Sequence, residues 1–246
     1  MSAQNQIVLD NPPVAQRGEG AAESSSIHLA RHFPVTPEIQ LPSWRYDVVK
    51  RSIDVLASGL LMAIFAVPGI CIAIAVLLTS RGPVFYREER IGRGGRPFRI
   101  WKFRSMHRDA NKRAQLAEAH SEGKVLEWRM RKHLRDPRIT PIGGVLRRWS
   151  LDELPQLINV FRGEMSLIGP RPVVASELSF YGDLLPFYFA ATPGLSGLWQ
   201  VSGRSHVDYD DRARLDARYV ATWSLTSDFC ILCRTFPAVL GRIGAQ

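Results

Sequence analysis

An apolar run from Val55 to Ser80 without a charged residue constrains this chain more than any other feature. A straight helix of that length would reach roughly 39 Å, more than the ~30 Å hydrocarbon core of a membrane. Pro68 and Gly69 fall in the middle of the run, and a proline there lacks a backbone donor and crowds the carbonyl of Ile64. Each half then reaches only about 20 Å, too short to cross alone. The run therefore predicts a broken helix.

Basic residues flank the run on both sides. They are Arg45, Lys50 and Arg51 before it, and Arg81, Arg87, Arg90 and Arg93 after it. A spanning helix would carry one of these clusters outward, against the positive-inside tendency. We therefore expect residues 45–80 to enter one leaflet and return as a re-entrant helix, with a spanning helix as the alternative. At its edge, Asp54 beside the basic pair is either a neutralised turn or part of a clamp for a lipid phosphate.

The rest of the chain divides into a tail and one core. Residues 1–44 are rich in Ser, Pro, Gly, Gln and Glu without sustained periodicity, which predicts a disordered N-terminal tail and not a signal peptide. The other 166 residues, 81–246, suffice for one core. The formal charge of +9, from 32 basic and 23 acidic residues, indicates an anionic partner. No nucleic-acid motif is apparent, so we expect lipid headgroups or phosphorylated substrates.

Alternating apolar and basic residues follow the run. The period of two predicts strands at about Val84 to Arg87 and Phe98 to Phe103, joined by a glycine-rich turn over Gly92 to Gly95. This alternation is expected to display three cations beside the membrane, namely Arg99, Lys102 and Arg104. A solvated helix is expected from Arg108 to Arg135. The segment Asp136 to Pro141 follows as a rigid turn that delivers Asp136 and Arg138 to the next stretch.

The stretch SLDELPQLINVFRGEMSLIGPRP places two carboxylates between cations. Asp152 and Glu153 follow the pair Arg147 and Arg148, and a second cation, Arg171, ends the stretch between two prolines. A helix is predicted to start here, either with Ser150 as the N-cap and Glu153 in a capping box, or with Leu154 as the cap before Pro155. Either start places Asp152 at the positive end of a short helix. The plain alternative is that Glu153 only caps the helix and Asp152 only pairs with an arginine.

Three segments complete the chain. Residues Thr192 to Arg204 form a glycine-rich loop, either a tight turn or a backbone lining for a ligand. Asp208 to Trp223 carries its charges on one side and is expected to lie at the membrane surface. Phe229 to Leu240 is more apolar and is expected to pack on the core or at the membrane interface. The fold class is thus α+β and mostly helical, with a membrane re-entrant helix, a small β-hairpin and surface amphipathic helices around a single core.

The motifs KRSID, KFRSM, DPRIT, SLDELPQL and GPRP together resemble one family. They are similar to the bacterial sugar transferases, or monotopic phosphoglycosyl transferases, which begin exopolysaccharide and glycan assembly on a polyprenyl-phosphate carrier. The resemblance covers about Tyr46 to the C-terminus, in the short form of the family. It implies a transferase that moves a hexose-1-phosphate from a UDP-sugar donor to polyprenyl (undecaprenyl) phosphate and releases UMP. It also implies a catalytic domain, residues 81–246, on the cytoplasmic face of the bacterial inner membrane, with downstream glycosyltransferases as possible partners.

The resemblance also implies roles for individual residues. Asp152 would be the nucleophile that becomes a covalent phosphosugar aspartate, with Glu153 serving either the metal or the lipid phosphate. Mg²⁺ would be held at these two carboxylates. The substrate-binding residues would be Arg147, Arg171, Pro170, Pro172, Lys102, Arg104, Arg138 and Arg204. The membrane anchor would be Lys50, Arg51, Asp54 and Pro68.

A non-catalytic function is the competing hypothesis. A basic module attached to the membrane could bind anionic lipid or nucleic acid through its net charge alone. That hypothesis gives no reason for a carboxylate pair between arginines.

Overall fold

A computed structural model describes residues 43–110, 112, 136–202 and 209–240. Most of these residues are helical, and the strands form one antiparallel hairpin and one short parallel pair. The prediction of a mostly helical α+β fold with a small hairpin is confirmed. The predicted N-terminal tail up to residue 42, most of the predicted helix over 108–135, and Arg204 lie outside the described residues.

The elements follow one another in this order: α1 Ser43–Ile64, α2 Ala66–Thr79, β1 Phe85–Ile91, β2 Pro97–Phe103, α3 Pro141–Arg148, α4 Gln156–Arg162, β3 Ser166–Ile168, α5 Leu185–Ala190, β4 Gly194–Ser196, α6 Leu198–Val201, α7 Tyr209–Ala221 and α8 Leu225–Leu240. Short 3₁₀ turns lie at Arg93–Gly95, Leu151–Glu153 and Ala175–Leu184.

The apolar run is a broken helix, as predicted, and the break lies at Phe65. Helices α1 and α2 meet there at 61°. Pro68 occupies the first turn of α2, where a proline is tolerated, and its ring prevents a straight continuation past the carbonyl of Ile64. Among the described residues no single helix is long and apolar enough to cross a membrane, whereas this bent pair passes the same test as a unit.

The β-hairpin extends further than predicted. Strand β1 runs to Ile91 instead of ending at Arg87, and it pairs with β2 in a register that sets Tyr86 opposite Lys102 and Phe85 opposite Phe103. Phe103 packs with Val76 and Leu146, which joins the hairpin to helices α2 and α3. The hairpin is therefore fixed beside the end of the broken helix.

Arg104 is not displayed beside the membrane as predicted. Its side chain is buried, and its guanidinium group donates to the carbonyl and the hydroxyl of Ser80 at 2.7 and 2.8 Å and to the carbonyl of Pro83. Alternation fails at this position because β2 ends at Phe103, so the residue after it no longer follows the pleat.

Helix α7 packs into the protein core through the face that was predicted to lie on the membrane. Tyr219 and Val220 join a core cluster with Ile168 and Ile231, the latter from α8. Asp216 lies on the same face, only 1% exposed. The sequence pattern predicted an amphipathic helix correctly, but its apolar face packs against the protein core. Helix α8 packs on the core through Ile231, as expected of the segment from Phe229 to Leu240.

Candidate active site

The two central carboxylates lie on the 3₁₀ turn Leu151–Glu153, directly after helix α3. Neither predicted helix start is found, because Ser150 makes no side-chain cap and α4 begins at Gln156. Ser150 instead adopts a left-handed backbone, with φ of 54°. This bend separates the environments of two adjacent side chains. Asp152 is buried at 8% exposure, whereas the Glu153 side chain is 39% exposed.

Lys102 reaches this turn from strand β2. Its Nζ donates to Glu153 Oε1 at 2.9 Å, so the hairpin and the carboxylate turn meet at this ion pair. Arg147, in the last turn of α3, contributes a second positive charge close to Asp152. The structure therefore brings together four predicted site residues: Lys102, Arg147, Asp152 and Glu153.

The pKa of Asp152 is raised to about 6. Burial is the largest cause and the charge of Glu153 the second, while Lys102 and Arg147 oppose both. The two carboxylates repel each other, and the cations Lys102 and Arg147 favour the ionised form of Asp152. A buried carboxylate with few hydrogen bonds and strong positive neighbours is suited to nucleophilic attack on a phosphate.

Arg138 is bound within its own turn. It donates to Asp136 through Nε at 2.9 Å and through Nη2 at 2.7 Å, in a fork-like pair. Burial would raise the pKa of Asp136, but these hydrogen bonds and the charge of Arg147 hold it below its usual value. The turn thus stands beside Arg147, and Arg138 adds to the positive potential from there.

Arg171 lies in a second cluster, built around the turn Pro170 to Pro172. Arg90 Nη1 donates to the carbonyl of Pro172 at 3.2 Å, and Ile91 N donates to the carbonyl of Val173 at 2.9 Å. Strand β1 therefore fixes this turn on the protein body. The guanidinium carbon of Arg171 lies 5.4 Å from the ring centre of Trp199.

Asp216 is the buried carboxylate of this second cluster. Burial raises its pKa to about 7, against the hydrogen bond from Tyr181 and the charges of Arg171 and Arg212. Tyr181 donates to Asp216 Oδ2 at 2.7 Å, and within the described chain Oδ1 has no hydrogen-bond partner. Sequence reasoning missed Asp216, although an acidic residue on the apolar face of an amphipathic helix is a signal that could have found it.

The glycine-rich loop packs its backbone closely against the backbone around Gly169. A side chain at Gly194 or Gly197 would collide with the backbone of Gly169, and one at Gly169 would collide with the carbonyl of Thr192. Strands β3 and β4 pair in parallel across this contact. In this part of the loop, the structure therefore favours the tight turn over a backbone lining for a ligand. Arg204 lies outside the described residues.

The anchor residues contact protein. Lys50 Nζ donates to Asp228 Oδ2 at 2.6 Å, and Arg51 donates to the carbonyls of Val160 and Phe161, both at 2.6 Å. Asp54 Oδ1 accepts from the backbone of Leu167 at 2.9 Å. All three polar side chains hold helix α1 against the core, and this favours the neutralised turn over the lipid-phosphate clamp.

Asp228 was also missed by sequence reasoning. Besides Lys50, it accepts hydrogen bonds from the hydroxyl of Tyr219 at 2.7 Å and from Trp223 Nε1 at 3.1 Å. The residue therefore joins α1, α7 and α8. Its only sequence signal is an acid in the first turn of a helix, which is common.

Comparison with known proteins identifies the family of the chain. The bacterial sugar transferase family matches residues 45–242. The exopolysaccharide production protein ExoY of Rhizobium meliloti (strain 1021) is 44% identical over 193 residues, 78% of this chain and 85% of the relative. The undecaprenyl-phosphate galactose phosphotransferase of Salmonella typhimurium is 43% identical over 198 residues, 80% of this chain and 41% of that protein.

A third relative supports the same family. The UDP-glucose:undecaprenyl-phosphate glucose-1-phosphate transferase of Caulobacter vibrioides is 40% identical over 208 residues, 81% of this chain and 73% of the relative. Each of these three relatives overlaps about four-fifths of the chain. The family match confirms the resemblance drawn from the sequence motifs. The chain belongs to the bacterial sugar transferase family, as an enzyme of its polyprenyl-phosphate type.

Proposed function

We propose that this chain transfers a hexose-1-phosphate from a UDP-sugar to undecaprenyl phosphate and releases UMP, through a covalent phosphosugar on Asp152. The observation that carries the proposal is the carboxylate turn, where a buried aspartate lies between Lys102, Arg147 and Glu153. The printed names of two relatives, a galactose phosphotransferase and a glucose-1-phosphate transferase, support the reaction class. Membership of an enzyme family leaves the non-catalytic basic module without support.

In the first step, a carboxylate oxygen of Asp152 attacks the phosphorus that carries the sugar. A bond forms between this oxygen and phosphorus, the diphosphate bond breaks, and its electron pair leaves with UMP. With a pKa of about 6, the carboxylate is roughly ten to one ionised at pH 7 and needs no general base. Lys102 and Arg147 offset the charge repulsion between the carboxylate and the donor.

In the second step, an oxygen of the lipid phosphate attacks the same phosphorus. The new bond joins the lipid phosphate to the sugar phosphate, the bond to Asp152 breaks, and the carboxylate is regenerated. Glu153 lies beside this position with one oxygen bound to Lys102. It can serve either the lipid phosphate or a metal ion.

Magnesium fits the carboxylate turn. Mg²⁺ usually takes one or two carboxylates together with substrate phosphate oxygens, and Asp152 with Glu153 supplies such a pair. The mutual repulsion that raises the pKa of Asp152 would be relieved by a divalent cation. Among the described residues no cluster of three or more His, Cys, Asp or Glu could hold a metal alone, so the substrate would complete the site. The ion would screen the phosphate charge.

The broken helix supports a location at the cytoplasmic face of the inner membrane. Large apolar side chains stay exposed along α1 and α2, among them Leu56, Leu60, Val67, Ile70 and Leu78. Lipid is the environment that would cover them. We propose that the pair enters one leaflet and returns, which places the hairpin and the carboxylate turn at the lipid surface. Downstream glycosyltransferases would then extend the lipid-linked sugar.

The substitution Asp152→Asn tests the mechanism. We expect loss of UMP release, by at least about 10³-fold, because the amide is not a nucleophile at this position. Membrane association should persist. Incubation of the wild type with donor alone, followed by digestion and mass spectrometry, should show a sugar phosphate on the peptide that contains Asp152. Full activity of the asparagine variant would refute the mechanism, and a panel of UDP-sugars would identify the donor.

A further inference from the structure

The exposed end of the hairpin carries a second feature next to the carboxylate turn. Tyr86 lies directly opposite Lys102 in the antiparallel register, so both side chains project from the same face of the hairpin. Lys102 binds Glu153, as described above, and its side chain is 25% exposed. Tyr86 is 52% exposed, and no described residue makes a hydrogen bond to its hydroxyl group. A free phenol and a partly open ammonium group thus lie side by side.

The contact with Glu153 does not use all the N–H donors of Lys102. Its ammonium group carries three N–H donors, and its contact with Glu153 Oε1 uses one of them. A phosphate group placed between Lys102 and Tyr86 would accept one hydrogen bond from each. Such charge-assisted bonds are stronger than neutral ones.

Strand β1 runs between two parts of the site, the Tyr86–Lys102 pair and the Arg171 turn. Tyr86, Glu88 and Arg90 share one face of the strand, and four residues of strand span about 14 Å. Arg90 lies at the far end and holds the Arg171 turn through Pro172. Tyr86 lies at the near end, seven residues after Thr79, where helix α2 ends. The strand therefore leads from the end of the apolar helix to the Arg171 turn.

Exposed apolar side chains lie near the Tyr86 end of strand β1. Leu77 and Leu78 are exposed on the last turn of α2, and Phe85, which precedes Tyr86, is exposed on the opposite face of strand β1. Phe85 stacks on Phe103, so its position is fixed by the hairpin. A tyrosine between an apolar surface and a polar site suits a boundary with lipid, since its ring and hydroxyl favour different environments. A ligand with a hydrocarbon tail and a phosphate head matches this arrangement.

We propose that Tyr86 and Lys102 form the subsite for the acceptor phosphate, a phosphate monoester on an isoprenoid chain, with Tyr86 donating its hydroxyl proton in a hydrogen bond. This inference rests on the proposed function and adds a residue to it. The lipid phosphate held there lies next to Asp152, whose phosphosugar it attacks. The donor enters from the Arg171 end of strand β1.

The substitution Tyr86→Phe tests the subsite, because it removes only the hydroxyl group. We expect the KM for undecaprenyl phosphate to rise on the order of tenfold, the effect of one hydrogen bond to a charged group. The rapid release of UMP by enzyme and donor alone should not change, because this half-reaction does not use the acceptor. Arg87→Gln is the matched control, since Arg87 is an exposed cation on the opposite face of the same strand. That variant should leave both measurements unchanged.

Binding without donor separates the possible ligands. The full-length protein in lipid nanodiscs should bind undecaprenyl phosphate more weakly in Tyr86→Phe than in the wild type and Arg87→Gln. Inorganic phosphate should compete poorly if the isoprenoid chain contributes, and well if the site takes any free phosphate. Equal acceptor binding and equal KM in Tyr86→Phe would overturn the subsite, as would a slower release of UMP from donor alone. No UMP release from any UDP-sugar by the wild type would refute the proposed function instead, and the binding result would still decide the subsite.

Discussion

Asp152 and Glu153 are neighbours in sequence, and the left-handed backbone of Ser150 precedes the tight turn on which they lie. The buried carboxylate has a raised pKa, and the more exposed one binds Lys102. A flexible segment would let both side chains point to water. The turn instead buries one carboxylate and leaves the other partly exposed beside Lys102, and the proposed chemistry depends on that difference.

Asp216 gives a pH-dependent stability. Its folded-state pKa, about 7, lies above the unfolded value near 3.8, so between these pH values the native state binds more protons than the unfolded state. Its contribution to folding is therefore most favourable at low pH and is lost as pH rises through about 7. We expect Asp216→Asn to melt at a higher temperature than the wild type at pH 8, with a smaller difference at pH 5. The full effect is on the order of a few kcal/mol.

Thermal melting of both proteins from pH 5 to pH 8 measures this difference. Asparagine keeps an oxygen that can accept from Tyr181, so the hydrogen bond need not be lost. Asp211→Asn, on the exposed side of the same helix, is the control and should shift the melting temperature by a similar amount at every pH. A difference in melting temperature between the wild type and Asp216→Asn that stays the same from pH 5 to pH 8 would contradict the prediction.

At the scale of elements, helix α1 is held by polar contacts along one side. Lys50, Arg51 and Asp54 lie one turn apart or less, and each bonds a different part of the core. Arg51 donates to the carbonyls of Val160 and Phe161 in the last turn of α4, where a cation also complements the helix dipole. Polar side chains therefore orient the helix, and its apolar side chains remain available to lipid.

Removal of one partner from the buried pair Lys50–Asp228 should be costly. Asp228→Asn leaves an ammonium group buried at 7% exposure without its counter-charge, and we expect a loss of about 3–5 kcal/mol in the free energy of unfolding. Asp47→Asn breaks the exposed pair with Arg93 and should cost less than about 1 kcal/mol. Chemical denaturation measures both variants. Equal losses would show that burial of the first pair has no energetic role.

Arg104 offers a direct test between a structural and a substrate-binding role. Its hydrogen bonds to Ser80 and Pro83 close the turn between α2 and β1. We expect Arg104→Met to lose about 2–4 kcal/mol of stability, since the hydrogen bonds of a buried guanidinium group to Ser80 and Pro83 are lost. The KM for the UDP-sugar should change less than about twofold. Arg99→Met, exposed on the same hairpin, is the control, and a stable Arg104 variant with a much higher KM would favour substrate binding.

At the scale of the whole molecule, the carboxylate turn lies where three elements meet. Helix α3 supplies Arg147, the hairpin supplies Lys102, and both pack against the last turns of α2 through Val76, Phe103 and Leu146. The end of the apolar helix and the carboxylate turn are thus packed against the same cluster. In the proposed function, this arrangement would let a water-soluble donor and a lipid acceptor reach the same atom.

The proposed re-entrant helix makes a prediction about topology. Both ends of the chain should lie on the cytoplasmic side, because a helix that enters one leaflet and returns exports neither flank. Cysteine placed at Ala21, in a variant whose three native cysteines are replaced by serine, should react with an impermeant maleimide in inverted vesicles and not in right-side-out vesicles. A single cysteine at Arg87 is the control for the other flank. Labelling of position 21 only in right-side-out vesicles would establish a spanning helix.

The sequence alone determined the features that depend on local order. A proline within an uncharged run dictates a break, period-two alternation around glycines dictates a hairpin, and adjacent carboxylates among arginines indicate phosphate chemistry. The break and the hairpin were predicted from these signals, the family was predicted from its motif resemblance, and all three are confirmed. Two predictions were wrong. Arg104 lies just past the end of β2 and binds Ser80, and helix α7 has the predicted amphipathic pattern but packs on residues distant in sequence.

Only the tertiary structure decided what each polar group faces. The pairs Lys102–Glu153, Lys50–Asp228 and Tyr181–Asp216 join residues separated by 51, 178 and 35 positions. Burial and the approach of such distant charges set the pKa values of Asp152 and Asp216, and no local sequence pattern contains either quantity. The sequence therefore names the candidate reactive side chains, and the packing of elements around them sets their burial and their electrostatic environment.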